Sequence, residues 1–258
     1  MTQAVELACN RGSVGQLPQS LQSLIGQLSQ SSYLTPKGVY QSLVRSRVTQ
    51  DDLMPWATFN HPVTDGYGRQ LVYDGGYFEI MVMSWLPGDV SAIHDHGHTQ
   101  WGAVQCFGSG THTVYRLQSS QLSTIAEISL FPTQIMKVDH DLIHQMSNYS
   151  QECFLSLHVY GCYQSLDSIT GDARIFDLLE GRIQCTSGGV FFCLPETEIN
   201  YRGSRITADL QTTYRHHRQM RDRILRILKT DSNTNLEHWH SKLAQLELEL
   251  TSCQQSMA

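Results

Sequence analysis

Hydrophobic and polar positions change rhythm twice along the chain. Between residues 17 and 60 the rhythm is helical: Leu21, Leu24, Ile25 and Leu28 recur at threes and fours, and after Gly38 the stretch Val39–Arg47, with Leu43 and Val44, continues it. Thr49-Gln-Asp-Asp52 sets an acid three residues after a threonine, which predicts a short, side-chain-capped helix. From about 68 to 199 short apolar or alternating runs are divided by Gly, Pro, Asp and Asn. They are Arg69–Tyr73, Phe78–Trp85, Trp101–Phe107, Thr111–Leu117, Thr124–Leu130, Gln134–Val138, His144–Ser147, Cys153–Tyr160 and Val190–Leu194. Short strands separated by turn signals predict an antiparallel sandwich or barrel. From about 200 the helical rhythm returns. Ile206, Leu210, Tyr214, His217, Ile224 and Leu228 form a stripe, Asp231-Ser-Asn breaks it, and Thr234-x-x-Glu237 reads as a capping box. Leu236, Trp239, Leu243, Leu246 and Leu250 then follow as a three-four seam. The expected organisation is a mainly β domain with N-terminal helices over residues 1–199 and a helical extension over 200–258. The seam is expected to pack on the β-core or on another subunit, which makes self-association through these helices an expected mode of assembly.

Composition narrows this picture. The chain has 258 residues, 40% hydrophobic and 16% charged, enough apolar material for a sizeable core and too much for wholesale disorder. Its length fits one domain with a small extension. The net charge of −6 is unevenly divided: residues 200–258 carry +3, the rest −9. An acidic chain is not expected to bind nucleic acid in general, and the basic residues between Arg215 and Lys229 read as a solvated helix face. No apolar run reaches the length of a membrane span, and residues 1–20 lack the apolar core of a signal peptide, so a cytoplasmic protein without membrane contact is expected. The seven cysteines are scattered without a CxxC pair, as expected of thiols in a reducing compartment.

The unusual count is histidine, with twelve. In Gly88-Asp-Val-Ser-Ala-Ile-His94-Asp-His96, two histidines at i and i+2 on a strand project from one face and can meet one metal ion. About 50 residues on, His144 is followed four positions later by Asn148. The spacing of these two segments resembles the two motifs of the cupin superfamily, which implies a small β-barrel (jelly roll) with the ligands converging inside it. Trp101 stands where many cupins have a glutamate ligand. Three neutral imidazoles leave up to three open positions on an octahedral metal, which suits iron(II) binding a chelating anionic substrate and O2; the same set suits zinc and a water. His98, His112 and His140 are competitors as ligands, with His140 expected in a loop.

Among three-histidine cupins the chain resembles the cysteine dioxygenase family. Five segments carry the resemblance: Tyr67-Gly-Arg69-Gln-Leu-Val, Trp85, Ser-Ala-Ile-His94-Asp-His96, Asp141-Leu-Ile-His144-Gln-Met-Ser-Asn148 and Ser156-Leu-His158-Val-Tyr160. The resemblance implies iron(II) on His94, His96 and His144, a substrate carboxylate on Arg69 with help from Tyr67, and a catalytic group formed by Tyr160, His158 and Ser156. The expected reaction is oxidation of L-cysteine by O2 to cysteine sulfinic acid, a step of cysteine breakdown. The alternatives are another small thiol, such as 3-mercaptopropionate, or a non-catalytic metal-binding cupin acting as a sensor or interaction protein. The residues are consistent with the expected roles. Ser156, His158 and Tyr160 alternate on a strand and so face one side, and a guanidinium aimed into a barrel can fork a carboxylate. Trp85 reads as core packing. Mammalian-type members carry a cysteine that forms a thioether with the tyrosine. Here its position falls on Trp101, or on Gly102 if the loop after His96 is one residue longer, as in bacterial relatives with glycine; Cys106 reads as an ordinary buried cysteine.

Overall fold

The structure is a computed structural model and describes residues 16–31, 34–230 and 236–257. The helical N-terminal rhythm becomes α1 (Gln19–Ser29), α2 (Pro36–Ser46) and α3 (Gln50–Leu53). Leu21, Leu24, Ile25 and Leu28 are the buried face of α1. Thr35 caps α2 by accepting from the Gly38 N–H, with Pro36 at the first helical position. Thr49 and Asp52 form the expected capping box on α3.

The first eight expected runs are strands: β1 (Gly68–Asp74), β2 (Phe78–Trp85), β3 (Trp101–Cys106), β4 (Gly110–Gln118), β5 (Gln121–Leu130), β6 (Ile135–Asp139), β7 (Ile143–Ser147) and β8 (Phe154–Gly161). Then follow β9 (Ala173–Asp177), β10 (Arg182–Thr186), β11 (Tyr201–Arg205), β12 (Thr207–Ala208), α4 (Leu210–Thr230) and α5 (Leu236–Met257). One sheet has the order β1-β2-β8-β3-β6. The other combines β12-β5-β4-β7 with β9-β10-β11. Single bridges from Val90 to Ser147 and from His94 to His144 and Ile175 join those two parts through the segment that carries His94. Apart from the parallel β12–β5 pair, neighbouring strands run antiparallel. Two curled antiparallel sheets enclosing a common interior make a mainly β, cupin-type barrel with helices before and after it.

Alternation sorts the five-stranded sheet into two buried faces. On its outer side Ile80, Val82, Trp101, Ala103, Leu155, Leu157 and Val159 pack against α1 and α2. On its inner side Met81, Met83, Trp85, Val104 and Tyr160 face the barrel core. The same core takes in Met220, Ile224 and Ile227 of α4 and Trp239 and Leu246 of α5, so both C-terminal helices bury apolar residues against the barrel. Leu250 is also buried, whereas Leu236 is exposed.

Four sequence expectations are corrected. Val190–Leu194 is not a strand; Val190, Phe192 and Leu194 are buried and Phe191 and Cys193 partly so, in a turn-containing segment whose Val190 backbone is bonded to Ala92 and the Tyr67 hydroxyl. β9 and β10 lie where no strand was expected, because their short runs are interrupted by Arg174 and Gln184. Residues 201–208 form strands rather than helix, so Ile206 of the stripe precedes α4; β11 is an exposed edge with Arg202 and Arg205. The basic residues of α4 are not all a solvated face, since Arg223 is buried. Thr234 and the Asp231-Ser-Asn break lie outside the described residues.

Candidate metal centre

His94 reaches the barrel interior from the bridged segment between β7 and β9, His96 follows two residues on, and His144 stands on β7. The backbones of His94 and His144 exchange N–H···O bonds of 2.9 and 2.8 Å, which sets the two imidazoles side by side. All three rings are buried. Each offers a ring nitrogen, and these atoms lie within 4.8 Å of one another. Burial lowers His94 to about 4 and holds His96 and His144 well below the ordinary imidazole range, so all three are neutral donors.

The His94 tautomer agrees with a shared metal ion. His94 Nδ1 lies 2.9 Å from the Ala92 carbonyl oxygen and must donate there, which leaves the Nε2 lone pair bare. His144 Nδ1 lies 2.8 Å from His112 Nε2. The Nε2 atoms of His144 and His96 face each other at 3.1 Å. Ligand arms of about 2.1 Å that meet between the octahedral and tetrahedral angles place their nitrogens about 3.0–3.4 Å apart. Among the described residues this trio is the group of three or more histidine, cysteine, aspartate or glutamate side chains that can hold a metal ion. The other competitors do not join it. His98 is exposed beside Asp172, and His140, in a loop as expected, is bonded to the Thr99 carbonyl oxygen. His112 stands behind the trio, one diagonal step across the β4–β7 pair from His144.

Beside the histidines lies a small cavity lined by Tyr67, Met83, Trp85, Ser91, His94, His144, Met146, His158 and Tyr160. The strand alternation of β8 brings Ser156, His158 and Tyr160 onto one line as expected. Ser156 Oγ is 2.7 Å from His158 Nε2, and His158 Nδ1 is 2.6 Å from the Tyr160 hydroxyl. Trp85 packs in the core as expected and also closes the line by donating from Nε1 to Ser156 Oγ at 2.9 Å. An indole N–H only donates. When the serine hydroxyl donates its own hydrogen bond to His158 Nε2, the imidazole proton is on Nδ1, directed at the Tyr160 oxygen. In that arrangement the phenolic O–H of Tyr160 is free to point into the cavity. Burial lowers His158 to about 3, helped by the nearby His94 and Arg69, and raises Tyr160 far above the ordinary phenol range. The relay is neutral, and in that arrangement it orients a donor.

Tyr67 lies at the cavity wall, stacked on Trp85 with ring centroids 4.7 Å apart, and its hydroxyl accepts from the Val190 N–H. Arg69 stands outside the immediate lining. Its Nη2 donates to Thr170 Oγ1 at 3.1 Å, and Thr170 donates in turn to Glu79. Its charge still reaches the cavity, opposing the rise of Tyr160. Across the β3–β8 pair Gly102, not Trp101, is opposite Tyr160. A Cβ on Gly102 would lie 3.2 Å from the Tyr160 ring and 2.4 Å from the Val159 oxygen, so only glycine allows this approach. Trp101 points to the outer face, against Gly161.

A sequence model of the family described as "Cysteine dioxygenase type I" matches residues 14–169, more than half of the chain. The chain belongs to that family. The match includes the three histidines, the relay, Tyr67 and Arg69, and it places the chain among dioxygenase-type oxidoreductases; β9–β12, α4 and α5 lie beyond it. Similar solved structures include an uncharacterised Klebsiella pneumoniae protein with a double-stranded β-helix domain, 16% identical over 46% of this chain and 93% of that one, TM-score 0.34. TT1209 from Thermus thermophilus is 18% identical over 43% and 93%, TM-score 0.34. A cupin-2 domain from Rhodospirillum rubrum is 18% identical over 40% and 64%, TM-score 0.32. No helix among the described residues is long and apolar enough to cross a membrane.

Proposed function

We propose that the protein is an iron(II)-dependent thiol dioxygenase that converts L-cysteine and O2 into cysteine sulfinic acid. The observation that carries this reading is a cluster of three neutral imidazoles, two of which, His94 and His144, line a small, largely apolar cavity together with the Tyr160 phenol. When bound, iron(II) would supply the redox chemistry that side chains lack. The sulfur loses four electrons and O2 gains four, so no external reductant is required. His94, His96 and His144 would hold the metal and, being neutral, leave its charge to draw in the thiolate. Arg69 would turn from Thr170 to the substrate carboxylate and fix which end of the thiol enters. Met83, Trp85 and Met146 keep water out of the cavity. Tyr160, held by His158 and Ser156, would donate its hydrogen bond at the reacting end of the substrate and keep both oxygens directed to sulfur.

The test is a panel of small thiols with iron-loaded protein, with sulfinate measured by mass spectrometry. L-cysteine is expected to give the highest kcat/KM, and sulfinate from 3-mercaptopropionate alone would move the assignment to that thiol. Metal binding without any sulfinate would favour a sensor. Losing a charge-assisted contact to a carboxylate typically costs about 2–5 kcal/mol. Arg69→Ala should therefore lower kcat/KM for cysteine by about 30-fold or more and affect cysteamine, which lacks the carboxylate, much less. Equal losses on both would remove Arg69 as the clamp.

A further inference from the structure

The basic stretch of α4 contains a buried ionic centre tied to the candidate site. Arg223 is 3% exposed, and its Nη1 lies 3.3 Å from Asp89 Oδ1, a carboxylate with no exposed surface. Its Nη2 donates to the backbone carbonyl oxygen of Asp65. Asp89 also accepts from the Leu86 N–H at 2.7 Å and faces His61 Nε2 at 3.0 Å and Arg226 Nη1 at 3.5 Å. The turn that carries Asp89 is bonded to the end of β7: Gly88 N–H donates to the Asn148 oxygen and Asn148 N–H to the Asp89 oxygen. Gly88 has φ +82°, and a Cβ there would lie 2.6 Å from Arg226 Nη1, so the turn is fitted closely against α4.

Stability alone does not explain such a cluster. Removing a guanidinium and a carboxylate from water is expensive, and apolar side chains of similar size often do as well. A forked guanidinium provides a fixed spacing between the two groups it holds. Here one group belongs to the segment that leads into Tyr67 and Arg69, two and four residues after Asp65. The other belongs to the turn five residues before His94, itself tied to the strand of His144.

We propose that Arg223 is a positioning residue: through its fork to Asp89 and the Asp65 carbonyl, α4 sets the spacing between the Tyr67–Arg69 wall and the histidine wall of the cavity. The inference rests on the metal reading of the three histidines, and it makes the C-terminal helices part of the framework of the site although they lie outside the family match.

Two full-length variants test it. Arg223→Lys retains one charge for Asp89 but cannot fork to Asp65. Arg223→Met alone would strand a buried carboxylate, so it is paired with Asp89→Asn. Cobalt(II) serves as a spectroscopic probe of the histidines, and hydrogen exchange reports on residues 61–72 and 86–96. Arg223→Lys should bind cobalt within twofold of the parent, lose exchange protection only over 61–72, and raise KM for cysteine at least about fivefold with little change in kcat. The double variant should lose protection in both segments, bind cobalt about tenfold more weakly and change the cobalt absorption bands. If both variants keep parental cobalt affinity, bands and exchange while their Tm falls, Arg223 is a packing residue and the inference is overturned. Cobalt binding and exchange need no turnover. A parent that binds cobalt but oxidises no thiol would therefore overturn the proposed reaction alone, and a parent that binds no cobalt would overturn both.

Discussion

Two buried polar clusters include residues of the segment from Gly88 to His96, and they are built on opposite principles. Inside the barrel, five histidines (His94, His96, His112, His144 and His158) are neutral, and lone pairs of three converge where the protein provides no donor for all of them. Beneath α4, Asp89 is paired with two guanidiniums that the chain supplies itself, Arg223 and Arg226, and is bonded to His61. A cluster that carries its own counter-charge is a brace, complete without a ligand. A cluster of converging neutral imidazoles carries no counter-charge and could hold a metal ion, which would satisfy their lone pairs together. The contrast predicts that the two clusters respond differently to the same kinds of change.

The largest effect is expected from His94→Ala. It should abolish stoichiometric metal binding and all dioxygenase activity while the chain stays folded, since the brace and the apolar cores are untouched. Metal analysis showing full occupancy in this variant would remove the assignment.

The next effect separates the ligands from what stands behind them. With His144 Nε2 given to a metal, its Nδ1–H would donate to His112 Nε2, 2.8 Å away, which holds that tautomer. His112→Leu should weaken metal affinity by about 10–100-fold with all three ligands in place. Competitive titration with a chelator measures this, and an affinity within twofold of the parent would reduce His112 to packing.

Much of the barrel was legible in the sequence because its information is local. Two-residue alternation determines that Ser156, His158 and Tyr160 share a face, and the i, i+2 spacing does the same for His94 and His96. His112 was named only as a competitor because its relation to His144 depends on the β4–β7 register, which no local pattern reveals. Polar parity along Thr111–Leu117 was the available signal. β9 and β10 were missed because short strands interrupted by polar residues lack a strong period. Arg223 was hidden for a different reason: its partner Asp89 is 134 residues away, and a basic helix face has the same sequence whether it meets water or a buried carboxylate.

Acidity should separate the clusters more gently. In the metal-free protein, burial lowers His94 and His112 to about 4 and His158 to about 3, against 6.5 for free imidazole. Below 6.5 the unfolded chain therefore binds protons that the folded chain refuses, and stability falls as pH drops, by up to about 1.4 kcal/mol per pH unit for each such group. His61 behaves in reverse. Burial alone would lower it, but its bond to Asp89 raises it above 6.5, so its contribution is complete below 6.5 and is lost as pH rises through the raised value. Denaturant unfolding at several pH values should show an acid limb from the barrel and a weaker alkaline loss that His61→Gln removes. An acid limb that vanishes in His61→Gln would assign the effects wrongly.

The smallest expected effect is none at all, and it concerns Tyr160. A cysteine–tyrosine thioether needs a sulfur against the phenol ring. The β3–β8 register puts Gly102 there, and its close approach leaves no room for a side chain. Cys106 is opposite Ser156, four residues along β8 from Tyr160, about 13 Å at the usual rise of a strand. Burial also raises its thiol to about 12, so it carries no thiolate at neutral pH. Tyr160 should therefore remain an unmodified phenol before and after turnover. The intact mass should match the sequence without a deficit of two hydrogens, and activity should begin at full rate with no maturation phase. Tyr160→Phe should keep metal and substrate binding yet slow sulfinate formation or uncouple it from O2 consumption, because only the hydroxyl at the end of the relay is lost. A two-hydrogen deficit mapped to a Cys106–Tyr160 peptide would mean that β3 is shifted by four residues against β8, and with it the position of every inward side chain on that strand.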